Sequence, residues 1–366
     1  MNPSKKTRVL VVDDSAMVRK AIVRILTREP AFEIVGEAKD PYEAKDMIIH
    51  QDPDVITLDI EMPRMDGIQF LKLIMERRPR PVIIVSTLTQ AGSNKSVEAL
   101  MNRAFDVIGK PLNATDLNRM GPELISKVKA ASHSREMGIY NRKQEQRRTN
   151  VTPTSNTSSF DSQQIILLGA STGGTESINR VLQALPGNMP PIAIVQHIPA
   201  FFSKAFAERL NRNCQLHVKQ ACHGDHLSPG EVLIAPGDYH MRLQWDRTQY
   251  RVDLDQGPQV HHQRPAVDHL FESGAKCAGP KAIGVILTGM GKDGAAGLKQ
   301  LHDTGAQTIG QDQHSCVVYG MPRAAFEAGA VDVQVSLDEV AQTLVDMTHG
   351  SRRLRTRRQL AGSIAS

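Results

Sequence analysis

Short apolar runs alternate along this chain with longer segments whose apolar positions recur at helical spacing. In the first third the runs are RVLVVDD (8–14), FEIVGEA (32–38), DVITLDI (54–60), PVIIVS (81–86) and FDVIGKP (105–111). The segments after them, at 15–28, 41–50, from Gly67, from Ser93 and from about Ala114, read as amphipathic helices. Five strand–helix pairs predict an α/β unit with a parallel sheet covered by helices on both faces. The working groups of such sheets gather at the carboxyl ends of the strands. A second region alternates in the same way, with IILLGA (165–170), IAIVQH (192–197), GEVLIAPG (230–237), AIGVILTGMG (282–291), AQTIGQD (306–312) and VDVQV (331–335). It predicts a second doubly wound, mostly parallel α/β domain, within which HMRLQWDRTQYRVDLD (240–255) alternates around a polar turn and reads as an antiparallel β-hairpin.

Between these regions, residues 132–163 are rich in Ser, Thr, Asn, Gln and Arg and nearly empty of apolar residues. Such a stretch buries too little surface to offset its ordering entropy and reads as a flexible linker, with room for a short helix within 135–148. The expected organisation is therefore 1–131, a linker at 132–163, a second domain at 164–350 and a tail at 351–366. The formal charge of +5 resides in that tail, whose sixteen residues carry five arginines and no acid. The rest of the chain is balanced, so no nucleic-acid partner is expected, and the basic tail reads as solvated and disordered. No apolar run approaches the ~20 residues of a membrane span, and Asp13 and Asp14 cut short the apolar stretch that a signal peptide would need. A cytoplasmic protein without membrane insertion is expected. Cys214, Cys222, Cys277 and Cys316 lack metal-ligand spacing and read as reduced thiols.

Chemistry enters at the strand ends. Asp13 and Asp14 follow the first run, and Asp59 lies at the end of the third. Three carboxylates at one sheet edge repel unless a divalent cation sits among them, and such oxygen donors suit Mg²⁺. Ser86 ends the fourth run and Lys110 the fifth, adding a hydroxyl and an ammonium. The set is suited to placing a phosphoryl group on Asp59 while cations neutralise the charge in transfer. With these residues in place, the region from residue 5 to about 130 resembles the response-regulator receiver domains, a flavodoxin-like (βα)5 fold. The resemblance implies that Asp59 is the phosphoacceptor and that Asp13, Asp14 and Asp59 hold Mg²⁺ with help from the Glu61 backbone. It also implies that Ser86 and Lys110 contact the phosphoryl oxygens. Val107 stands where that family usually carries an aromatic switch residue.

In the second region, GASTGGT (169–175) follows an apolar strand and precedes a helix. A phosphate cradle would need a G-K-[ST] ending or G-x-G-x-x-G, and neither is present. GASTG instead fits the G-x-S-x-G nucleophile elbow, with Ser171 exposed on a sharp turn. A serine hydroxyl needs a base. His197 closes the next strand and should share its sheet edge; His217, His223, His226, His240, His261, His262 and His314 are the other candidates. An acid should orient the imidazole, and Asp293 in LTGMGKDGA is favoured, with Asp268 and Asp312 as rivals.

The order Ser, His, Asp is not that of ordinary α/β-hydrolases. Residues 164–334 are similar to the chemotaxis methylesterases of the CheB family. The likeness is carried by GASTGGT, QHIPAFFSKAFAERL, LSPGEVLIAPGDYHM, RPAVDHLF, GVILTGMGKDGAAGL and QDQHSCVVYGMPRAA. It implies Ser171 as nucleophile, His197 as general base, Asp293 as its orienter and backbone N–H groups at Thr172 and Met290 as the oxyanion hole, with no cofactor for the ester hydrolysis. Gln263 stands where that family usually has a histidine. The implied substrates are glutamyl methyl esters, and glutamines, on the cytoplasmic domains of methyl-accepting chemoreceptors, and the implied phosphodonor is a CheA-type histidine kinase. An unphosphorylated receiver is expected to cover the Ser171 edge and phosphorylation of Asp59 to release it. A transcription factor would instead need a basic output domain, and a silent scaffold would not react with a serine-directed phosphonate.

Overall fold

A computed structural model of the chain describes residues 6–87, 89–111, 114–136 and 160–349. They fall into two compact units that divide between residues 147 and 148. The first unit runs β1 (Thr7–Val12), α1 (Ala16–Leu26), β2 (Phe32–Ala38), α2 (Pro41–Gln51), β3 (Val55–Asp59) and α3 (Gly67–Arg77). It continues with β4 (Val82–Ser86), α4 (Gln90–Met101), β5 (Asp106–Gly109) and α5 (Ala114–Glu136). Its five strands form a parallel sheet in the order β2-β1-β3-β4-β5. Every residue of β3 and β4 is buried, which is why those strands read as unbroken apolar runs. Local chemistry starts the helices: Ser15, Asp40 and Asp66 each accept a backbone N–H of the first turn, and Pro41 occupies a first-turn position of α2.

The end of α5 differs from expectation. The helix runs to Glu136, five residues into the stretch read as linker. Thr7 Oγ1 donates to Ser132 Oγ at 3.0 Å, and Arg135 pairs with Asp52 at 3.2 Å and Asp54 at 3.0 Å. Those tertiary partners hold a polar turn that composition alone assigns to solvent. The remainder of the helix considered within 135–148, and the tail at 351–366, lie outside the described residues.

The second unit contains β6 (Ile165–Ala170), α6 (Gly174–Ala184), β7 (Ile192–Gln196), α7 (Ala200–Asn213), β8 (His217–Gln220), β9 (His226–Leu227) and β10 (Glu231–Ile234). The hairpin strands β11 (His240–Trp245) and β12 (Tyr250–Asp255) follow, then α8 (Val267–Cys277), β13 (Ala282–Ile286) and α9 (Ala295–Asp303). It ends with β14 (Gln307–Gln311), α10 (Met321–Glu327), β15 (Val333–Val335) and α11 (Leu337–Thr348). Seven parallel strands form one sheet in the order β15-β14-β13-β6-β7-β10-β8. The expected hairpin is present, and β9 adds a third antiparallel strand to it. Residues 160–163 belong with this unit: Asp161 pairs with Lys281, and Tyr250 Oη donates to the Gln163 carbonyl at 2.6 Å. Among the described residues no helix is long and apolar enough to cross a membrane.

From β6 the chain first winds through β7 to one side of the sheet, and later returns to place β13 on the other. The strand order therefore reverses beside β6. Doubly wound sheets open a crevice at such a point, outside the carboxyl ends of the strands.

Candidate active site

Ser171 lies just past β6, in that crevice. The turn is made by glycines: Gly173 has a φ of +78°, and a Cβ on Gly174 would come within 2.1 Å of Gln196 Oε1. Ser171 N–H donates to the Thr288 carbonyl at 3.0 Å, and Gly174 N–H donates to the Ser171 carbonyl at 2.7 Å. The hydroxyl thus sits before the N-terminus of α6, where the helix dipole favours developing negative charge. From the neighbouring strand end, Gln196 Nε2 donates to the carbonyls of both Ser171 (2.8 Å) and His197 (3.0 Å). That buried amide ties the two turns together. Its only signal in the sequence is an amide closing an otherwise apolar strand.

His197 Nδ1 lies 3.1 Å from Ser171 Oγ, and His197 Nε2 lies 2.7 Å from Asp293 Oδ2. Three residues far apart in the chain therefore meet at the ends of three adjacent strands, β13, β6 and β7. Asp293 is 2% exposed. Its Oδ2 also accepts the Val267 N–H at 2.8 Å and its Oδ1 the Asp268 N–H at 3.0 Å, both at the N-terminus of α8. Burial works against its charge, but the His197 contact and the two amides together hold its carboxyl below the ordinary range. An anionic Asp293 requires the proton on Nε2. The Nδ1 lone pair then faces the serine hydroxyl and can take its proton.

Met290 lies in the loop between β13 and α9. This loop crosses the elbow closely, since a Cβ on Gly289 would meet Ser171 Cβ at 2.8 Å. Thr172 is held by Thr288, whose Oγ1 donates to its carbonyl at 3.0 Å. Of the two residues expected to supply an oxyanion hole, Thr172 follows the serine directly and Met290 follows Gly289 in the loop that crosses it.

Most rival residues serve elsewhere. His226 pairs with Asp246 at 2.8 Å and His223 with Asp253 at 3.3 Å, both around the hairpin. His240 is fully buried, with Nε2 bonded to the Pro258 carbonyl at 2.9 Å and Nδ1 accepting the Ala266 N–H at 3.2 Å. Asp312 accepts the N–H and hydroxyl of Ser315 in a turn. Gln263 closes a tight turn through mutual backbone bonds with Val260. His261 and Asp268 approach the site: His261 Nε2 lies 3.3 Å from Asp268 Oδ2, and ligand atoms of both lie within 4.8 Å of one on Asp293. Burial raises the thiols of Cys214, Cys277 and Cys316, Cys277 to about 11.

The first unit carries a separate polar cluster. Lys110 Nζ bridges Asp59 Oδ2 at 2.7 Å and Asp13 Oδ2 at 3.1 Å, and both carboxylates are fully buried. Asp13 Oδ1 accepts the Ser15 N–H, and Asp59 Oδ1 accepts the Glu61 N–H. Burial, reinforced by the Asp13 charge, pushes Asp59 up to about 6 against the pull of Lys110. Burial also opposes the charge on Lys110, yet the two carboxylates hold its ammonium above the ordinary lysine range. Asp13, Asp14 and Asp59 each bring a carboxylate oxygen within 4.8 Å of the others. Hard oxygen donors this close, carrying more negative charge than one ammonium balances, fit a Mg²⁺ ion. Ser86 ends β4 as expected, but its hydroxyl is directed at the Gly92 carbonyl at 3.4 Å, in the first turn of α4. Val107 is buried within β5 and offers no aromatic switch.

Residues 166–344 match the CheB methylesterase family model and residues 9–120 that of the response regulator receiver domain. A protein-glutamate methylesterase/protein-glutamine glutaminase from Syntrophus aciditrophicus is 50% identical over 344 residues, covering 93% of this chain and 99% of that protein. One from Anaeromyxobacter dehalogenans is 46% identical over 341 residues, covering 93% and 95%. Among solved structures, the Thermotoga maritima CheB methylesterase catalytic domain is 38% identical, covering 50% of this chain and 98% of that one, with a TM-score of 0.49. With both domains matched in order and half of the positions shared with a relative along nearly its full length, the chain belongs to the protein-glutamate methylesterase/protein-glutamine glutaminase family, response regulators that join a receiver domain to a CheB methylesterase domain.

Proposed function

We propose that this chain demethylates glutamyl methyl esters, and deamidates glutamines, on the cytoplasmic domains of methyl-accepting chemoreceptors, with Ser171, His197 and Asp293 as its catalytic triad. The observation that carries this reading is the relay of 3.1 Å from Ser171 Oγ to His197 Nδ1 and 2.7 Å from His197 Nε2 to Asp293. Ser171 Oγ attacks the ester carbonyl while His197 Nδ1 takes its proton. The imidazolium so formed is stabilised by the Asp293 carboxylate. The carbonyl oxygen becomes an oxyanion, which accepts hydrogen bonds from backbone N–H groups of Thr172 and Met290. Each such donor is worth about 3 kcal/mol. His197 then gives the proton to the departing methoxide, or to the departing amine of a glutamine, releasing methanol or ammonia. Water, deprotonated by the same Nδ1, cleaves the acyl-enzyme and regenerates Ser171 with a free glutamate. No cofactor enters this sequence.

The receiver half supplies control in the same reading. Asp59 accepts a phosphoryl group from a CheA-type histidine kinase, with Lys110 neutralising charge on the phosphoryl oxygens and Ser86 turning from Gly92 to donate to one of them. Asp13, Asp14 and Asp59, with the Glu61 backbone, would hold Mg²⁺, which would supply charge neutralisation for the transfer. The acyl phosphate carries roughly −1.5 to −2 charges in place of the carboxylate's single one, and the unphosphorylated receiver restrains the esterase until that charge appears. The reading suits a chain that works in the cytoplasm.

Methanol release from methylated receptor, measured with and without a phosphodonor, tests both halves. Ser171→Ala should lower turnover on the order of 10⁶-fold while the protein stays folded. A serine-directed phosphonate should label Ser171 in the intact protein and not in that variant. Normal turnover in Ser171→Ala overturns the esterase mechanism. A fragment beginning at Ser162 that is no faster than the unphosphorylated whole overturns the restraint.

A further inference from the structure

Asp293 does not stand alone at its end of the relay. Its carboxylate caps the N-terminus of α8, accepting the amides of Val267 and Asp268 at 2.8 and 3.0 Å. Asp268, in the first turn of α8, returns the contact: its Oδ1 accepts the Gly297 N–H, in the first turn of α9, at 2.7 Å. α8 therefore begins on a carboxylate from the loop that leads into α9, and α9 on a carboxylate of α8. The two starts are also packed without slack. A Cβ on Gly297 would meet the Asp268 carbonyl oxygen at 2.7 Å, and a Cβ on Gly294 would meet Val267 Cγ1 at 2.6 Å. β6 also closes on Val267, because a Cβ on Gly169 would meet Val267 Cγ1 at 2.2 Å. Asp268 is 4% exposed, and its second oxygen faces His261 Nε2 at 3.3 Å.

We infer that Asp268 is a positioning residue for the hydrolysis, fixing Asp293 against His197 through this exchange of carboxylates between the starts of α8 and α9. The inference rests on the triad reading given above. The physical reason lies in where Asp293 is attached. It stands in the loop that leads into α9, two residues before that helix begins, with Gly294 between them at a φ of +86°. A glycine at that position lets the loop pivot, and the first turn of α9 must be anchored if the carboxylate is to hold its place. The Asp268–Gly297 bond is that anchor, and it reaches Asp293 again through the Asp268 amide. An alternative use of the same atoms as a metal site is disfavoured, because Asp293 Oδ2 already accepts both an imidazole and an amide N–H, and Asp268 Oδ1 accepts the Gly297 amide.

The test compares Asp268→Ala, Asp268→Asn and Asp293→Ala in the full-length protein, reading kcat and KM for methanol release and the low-field proton resonance of His197 Nε2–H. Alanine removes the acceptor for the Gly297 amide, whereas asparagine retains one of the same size. A reacting group displaced by about 1 Å can lower turnover on the order of 10²-fold, so Asp268→Ala should lose roughly 10- to 100-fold in kcat with KM little changed. Its low-field resonance should shift upfield or broaden away. Asp268→Asn should restore both to near wild type. If alanine reduces folding too far to measure, Asp268→Ser, too short to reach Gly297, replaces it with the same expectations. An Asp268→Ala protein with a lower unfolding midpoint but wild-type kcat and resonance overturns the inference, as does an asparagine variant as impaired as alanine. Activity retained by Asp293→Ala overturns the triad itself, which separates the two failures.

Discussion

His197 turns Nδ1, not Nε2, toward Ser171, at 3.1 Å, and gives Nε2 to Asp293 at 2.7 Å. The serine proteases of the chymotrypsin type use the two ring nitrogens the other way round. The chemistry is unaffected, because either nitrogen can carry the lone pair once the other is held protonated by a carboxylate. The arrangement does make the tautomer depend entirely on Asp293.

Asp293→Asn should therefore leave the fold in place and lower kcat on the order of 10⁴-fold, because a neutral amide neither selects the productive tautomer nor stabilises the imidazolium. Methanol release under saturating receptor measures it. A loss of less than about tenfold would mean that the imidazole is oriented by something else.

The same carboxylate gives a stability prediction with a definite sign. Asp293 is strongly opposed by burial but held below the ordinary carboxylate range by His197 and by the amides of Val267 and Asp268. A group whose pKa is lower folded than unfolded stabilises the native state above its unfolded value, about 4, and loses that contribution as pH falls through its folded value. The stability difference between the wild type and Asp293→Asn, read from urea unfolding, should be greatest near neutral pH and shrink below about pH 4. A difference that does not vary with pH would show that the ionic contact is not its source.

Gly289 has room for no side chain: a Cβ would meet Met321 Sδ at 2.3 Å and Ser171 Cβ at 2.8 Å. Gly289→Ala should push the β13–α9 loop away from the serine, destabilising the second unit by about 1–3 kcal/mol. Because Met290 moves with that loop, kcat should fall further than the stability loss alone explains. Thermal unfolding and methanol release on the same sample separate the two effects.

In the first unit, Asp13 and Asp59 are buried against a single ammonium, Lys110. Added Mg²⁺ should raise the unfolding midpoint of this unit, by an amount equivalent to about 2.7 kcal/mol at a hundredfold excess over its Kd. Asp59→Asn should remove most of that response and all labelling by a small-molecule phosphodonor. A Mg²⁺ response that survives Asp59→Asn unchanged would place the cation elsewhere.

Much of this was legible because it is written locally. Fully buried strands such as β3, β4 and β6 need unbroken apolar runs, and the glycines around Ser171 need a turn that only glycine makes without strain. Position at a strand end then placed Ser171, His197, Asp59 and Lys110 on the correct sheet edges. The edge strand β8 leaves no local signal, because only Val218 of its four residues is buried and no periodicity survives. The last turn of α5 reads locally as linker because its stabilising partners, Thr7, Asp52 and Asp54, lie more than eighty residues away in sequence.

The amino-acid sequence by itself determined two parallel α/β units, the nucleophile elbow and the acid pocket, since each follows from residue types at short spacing. Only the tertiary structure decided which imidazole nitrogen faces the serine, that Gln196 joins the two turns, and that Asp268 accepts the Gly297 amide while its own amide donates to Asp293. Those outcomes depend on directions of side chains brought together from distant parts of the chain. Such directions are set by packing and mutual hydrogen bonding, for which no local pattern exists.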